Sequence, residues 1–164
     1  MSGLGGPPED TDLQLARFGS VLADAVIEAV PGWIESCVLT RFDEWTRYSG
    51  VAGDRSEVSA LAMEAGRVAA GELAAPLREL VTAGVDAQRN TPLGLVRPLV
   101  SHATAVLRAV GVPPVERDDF ERSRFSNDDY RLTPVSLAAL GPEVGDLALA
   151  WGAAKAMAHK RRHQ

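Results

Sequence analysis

From Asp12 to Ala158 apolar residues return every three or four positions, and no stretch alternates apolar with polar residues as a half-buried strand requires. A chain written this way hides its apolar side chains by forming helices that share their stripes. Leu15, Phe18, Leu22, Ala25 and Ala29 make the first stripe; Ile34, Val38, Phe42 and Trp45 make the second, with Cys37 beside them. Pro31 lies between the two and predicts an end or a kink there, because proline biases the residue before it away from the helical region. A third helix is expected from Glu57 to Ala83, with Val58, Leu61, Ala65, Val68, Ala69, Leu73, Leu77 and Leu80 in line and Gly84 as terminator. Pro76 inside it removes a helical hydrogen bond at about 3 kcal/mol, so a kink is expected nearby.

Thr91-Pro92 reads as a cap followed by a first helical position. Pro98 restarts a helix carrying Leu99, Ala103, Val106 and Val110, and Gly111 ends it. Residues 116–131 differ in kind, mixing six acids, four arginines and three aromatics without a sustained period, so they read as an ordered, irregular connector. Thr133-Pro134 opens a short helix to Leu140, and Val144, Leu147, Trp151, Ala154 and Ala158 mark the last helix. On that helix Gly145, Ala148, Gly152 and Ala156 leave a second face nearly bare, open to close approach by a neighbouring backbone.

The side chains in these stripes are small. Only 5% of the chain is aromatic although 46% is hydrophobic, which suits helices packed at short range. At 164 residues one core suffices. The expected fold is all-α: a single irregular bundle of five to seven helices over 12–164, after a flexible tail at 1–11 rich in glycine and proline.

The net charge of −5 offers nucleic acid or an anionic membrane no general attraction. It is unevenly spread. Lys155, Lys160, Arg161 and Arg162 put four positive charges on the last ten residues, which leaves −9 on residues 1–154. A lone Cys37 excludes an intrachain disulfide and suits a reducing compartment, so a cytoplasmic location is expected. The N-terminus carries no secretory pattern and every apolar run is broken by charge, so no membrane association is expected.

Catalytic patterns are missing. No Gly-x-Ser-x-Gly turn occurs, and Ser101 and His102 are adjacent on a helix, where side chains diverge by about 100°. His102 reads as a hydrogen-bonded helix histidine, and Cys37 as a small core residue. His159 and His163 share a helix face, but Lys160, Arg161 and Arg162 oppose a cation there, so neither a metal nor a cofactor is expected. Residues 134–160 mimic a helix-turn-helix, yet Glu143 and Asp146 would meet the phosphates.

The segments TPLGLVRPLV (91–100), AVGVPPVERDDFERSRFSNDDYRLTPVSLAAL (109–140) and WGAAKA (151–156) resemble a group of actinobacterial helical proteins with no assigned function. The resemblance covers about the C-terminal half and implies no activity, cofactor or residue role.

Three functional expectations follow. The first is a non-catalytic protein that binds another protein or itself, with Phe120, Arg124, Phe125 and Tyr130 of the connector as anchors. The second is an enzyme or small-ligand binder in which Asp118, Asp119, Asp128 and Asp129 supply an acid, a base or ligands. The third is weak nucleic-acid or ribosome association through Lys155, Lys160, Arg161 and Arg162.

Overall fold

A computed structural model describes residues 6–83 and 91–163, with side chains from Asp12 onward. Among the described residues every regular element is helical: α1 Gly6–Ser49, α2 Arg55–Thr82, α3 Pro92–Val96, α4 Val100–Ala109, α5 Asp119–Arg124 and α6 Pro142–Arg162, with 3₁₀ turns at Arg97–Leu99 and Leu137–Leu140. None is long and apolar enough to cross a membrane.

The long helix α1 is the axis of the molecule. After a turn at 50–54, α2 returns antiparallel along it, started by Asp54, whose side chain accepts from the Glu57 amide. Cross-pairs mark the register: Asp43 with Arg55, Glu35 with Ser59, and Asp24 with Arg78. Helix α4 packs on both α1 and α2, while α6 packs chiefly on α1 and on the Leu137–Leu140 turn. Trp151 of α6 reaches Gly19 of α1, and Arg162 pairs with Asp12, so α6 runs along the N-terminal half of α1. The connector and the region after α4 close over the C-terminal half, through Arg41 on the carbonyls of Tyr130 and Arg131.

Of the end or kink expected at Pro31, the end does not occur: the two predicted helices are one. Proline forfeits one backbone bond and strains the preceding turn, at about 3 kcal/mol. Val26, Val30, Ile34 and Val38 bracket it, all fully buried, and burial of each contributes about 1.5–3 kcal/mol. Packing wins over local preference. Pro76 is likewise carried inside α2.

The seam between α1 and α2 is narrower than the sequence suggests. Leu61 and Val68 were expected inside and are exposed; Ala62, Gly66 and Ala70 are buried instead, with Val58, Ala69, Leu73, Leu77 and Val81. A Cβ on Gly66 would lie 2.6 Å from the Cα of Pro31, so the backbones meet where only glycine fits. On α1 the buried line is likewise Leu15, Leu22, Ala23, Val26 and Val30, and Phe18 is partly exposed.

Two boundaries move. The helix expected from Asp12 is already present at Gly6, and residues 1–5 lie outside the described residues. Thr91 caps α3 with Pro92 in its first turn, as expected, whereas Gly84 lies outside the described residues. The segment after Thr133-Pro134 stays non-helical, bending at 135–136, until a 3₁₀ turn begins at Leu137. There Thr133 satisfies Asp128 rather than opening a helix.

Candidate functional site

The connector is ordered by its own charges. Asp118 caps α5 by accepting from the Glu121 amide at 2.8 Å. Asp119 projects into solvent, 4.0 Å from Arg122. Asp128 is buried and accepts from the Leu132 amide (2.7 Å), the Thr133 amide (2.9 Å) and the Thr133 hydroxyl (2.6 Å). Asp129 sits between Arg108 and Arg117. The four acids therefore do not converge. Asp118, Asp128 and Asp129 each meet nearby donors, because a carboxylate beside backbone amides or guanidiniums gains more from a charge-assisted bond than from a distant shared point. Among the described residues no group of three His, Cys, Asp or Glu side chains is placed to hold a metal.

Tyr130 is a core residue and not an exposed anchor: it is 0% accessible, and its hydroxyl donates to the Val112 carbonyl at 2.6 Å. Its aromatic bulk is the largest wholly buried side chain among the described residues, which explains why a residue with no helical partner in sequence still faces inward. Burial pushes its phenol above the ordinary value, against a smaller opposing pull from Arg108. The other anchors stay outside. Phe120 is exposed, Phe125 is half-buried, and the Arg124 guanidinium lies over both rings, 6.0 and 5.2 Å from their centroids.

Beside Phe125 the connector borders two adjoining hollows, both open to solvent, of about 370 and 570 Å³ that share Arg97, Arg124, Phe125, Asp128 and Thr133. The smaller is lined by four arginines, Arg97, Arg117, Arg124 and Arg131, against two acids, Glu121 and Asp128. Arg131 holds both oxygens of Glu121 at 2.7 and 3.0 Å. Arg117 is divided between the Phe125 carbonyl and Asp129. Arg97 bonds a neutral carbonyl, that of Pro134, at 3.2 Å. Sequence reasoning singled out the acids of this region and passed over Arg97, which stands 27 positions before Arg124 and reaches it only through the fold.

Elsewhere His102 meets Glu72 at 2.8 Å across α4 and α2. Cys37 is half-buried, and desolvation raises its thiol to about 11. At the basic end Arg162 pairs with Asp12 and Lys155 lies 5.1 Å over the Trp151 ring, while Lys160 and Arg161 are exposed. Comparison with family models, curated proteins and solved structures finds no match to this chain. Its chemistry is read from its own residues.

The second face of α6 is covered in its first half, where Ala148 packs against the core, and open in its second. Gly145 meets Ala138, but a Cβ on Gly152 would meet nothing within 4 Å, and Gly152, Ala153 and Ala156 are all exposed. Leu149 and Met157 flank them at 75% and 57% accessibility.

Proposed function

We propose that the chain is a non-catalytic interaction domain that assembles with a second copy of itself through the outer face of α6. The observation that carries this reading is the spacing of exposed residues on that face: Asp146, Leu149, Ala153, Ala156 and Lys160 follow one another at alternating three and four positions. That is the repeat by which one helix seats against another. The face is also charge-complementary to itself. Two α6 helices laid antiparallel about Ala153 put Leu149 of each beside Met157 of the other, and Asp146 beside Lys160. Such a contact is isologous and closes as a dimer. Gly152 and Ala153 at its centre permit close approach.

Sedimentation equilibrium tests it. Wild type is expected to dimerise and Leu149→Glu to remain monomeric with an unchanged helical spectrum. A wild-type monomer at all concentrations overturns the reading. The acids of the connector do not favour the catalytic alternative, since Asp118, Asp128 and Asp129 are engaged locally and Asp119 faces solvent away from them. For nucleic acid, the engagement of Lys155 and Arg162 leaves two of the four tail cations exposed and unpaired, so fewer phosphate contacts are available than the sequence suggests.

A further inference from the structure

The geometry points to the connector hollow as a binding site for a small organic anion, its carboxylate or phosphate head held by Arg97 and Arg124 and its flat body laid on Phe125. Four guanidiniums line the smaller hollow against Glu121 and Asp128, and with Asp129 counted on Arg117 one positive charge remains in excess, on a chain of net charge −5. Of the four, Arg131 and Arg117 are answered by carboxylates. Arg97 and Arg124 are not: one bonds a peptide carbonyl and the other lies on aromatic rings. Both line both hollows.

A guanidinium carries five N–H donors in a planar fork that matches two oxygens of a carboxylate or phosphate, so these two retain donors suited to that head group. Asp128, the one acid common to both linings, does not take this role. It is buried, and its oxygens already accept three hydrogen bonds from Leu132 and Thr133. The rest of the wall suits an apolar body, with Phe125 shared by both hollows, Pro98 in one and Pro134 in the other. The volumes fall within the range of about 300–1,000 Å³ usual for small-molecule sites. The frame is braced before any ligand arrives, by Asp118 at the start of α5, Glu121 on Arg131, and Arg117 on the Phe125 carbonyl. This site is independent of the α6 face.

Two anions of one shape, benzoate and phenyl phosphate, are titrated into the isotope-labelled full chain beside the neutral benzyl alcohol. Saturable shifts at Arg97, Arg124 and Phe125 are expected with an anion and not with the alcohol, and the tighter anion identifies the head group. Arg124→Gln, which removes no hydrogen bond of the fold, should weaken binding by about tenfold, as loss of a bidentate charged contact does. Arg67→Gln, on a residue that lines neither hollow, should leave it unchanged. Failure of both anions to saturate, equal shifts with benzyl alcohol, or undiminished affinity in Arg124→Gln with its fold intact would overturn the site.

Discussion

Asp128 and Tyr130 show how a single side chain in this protein acts: both are polar, both are buried, and both are satisfied within the connector's own neighbourhood. Removing Asp128 strands the amides of Leu132 and Thr133, so Asp128→Ala should lower stability by about 3 kcal/mol, read by urea denaturation. Tyr130→Phe keeps the packing and leaves the Val112 carbonyl without its donor, a smaller loss of about 1–2 kcal/mol. The half-buried Cys37 thiol, raised from 9.0 to about 11 by desolvation, is mostly protonated at neutral pH. Its alkylation at pH 8 should run about a hundredfold slower than that of an unfolded control, since the thiolate is the nucleophile. The sign of the linkage is fixed by the same shift. A folded value above the unfolded one contributes stability that is complete below pH 9 and is lost as the pH rises towards 11. Tyr130, also raised by burial, adds a loss in the same direction once the pH passes its ordinary value of about 10. Stability that held constant from pH 8 to 11 would contradict both. These roles were illegible in sequence, because Asp128 and Asp129 look alike there and only the fold gives one backbone amides and the other arginines.

At the scale of elements, helical periodicity was sufficient to give the class of fold and the last helix, where Val144, Trp151, Ala154 and Ala158 are buried as expected. On α1 and α2 it placed most of the buried stripe and erred at Phe18, Leu61 and Val68, which are exposed. A stripe drawn through the largest apolar residues, such as Phe18, Leu61 and Val68, assumes that size decides burial. Where Gly66 meets Pro31, backbone distance decides instead. Gly66→Ala should therefore destabilise the hairpin by about 1–3 kcal/mol through overpacking. Gly71→Ala, in the same helix with nothing within 4 Å, should stabilise it by about 0.5–1 kcal/mol because alanine loses less entropy in a helix. Thermal melts of the two variants should move in opposite directions. Equal shifts would mean that the seam is looser than its geometry. The through-going proline has the same origin: a local penalty of one residue is outweighed by a buried stripe on either side of it, a balance that a window of sequence does not contain.

In the whole molecule, the arrangement of helices around α1 leaves the outer face of α6 uncovered among the described residues. Of the bare face visible in sequence, Gly145, Ala148, Gly152 and Ala156, only the last two stay exposed; which half would be covered was not legible, since burial depends on where every other helix goes. Charge adds a check at this scale. Asp146→Lys or Lys160→Asp alone should weaken dimerisation, and the two together should restore it, measured by light scattering at low salt, where exposed pairs are least screened. The most direct measurement uses the two-fold axis itself. An antiparallel pair centred on Ala153 sets that residue against its own copy, so Ala153→Cys in a Cys37→Ser background should form a covalent dimer under mild oxidation. Ala105→Cys, exposed on α4, is the control for random collision. Rapid cross-linking of Ala153→Cys well above the control is the result predicted; cross-linking no faster than that of Ala105→Cys would contradict the central claim.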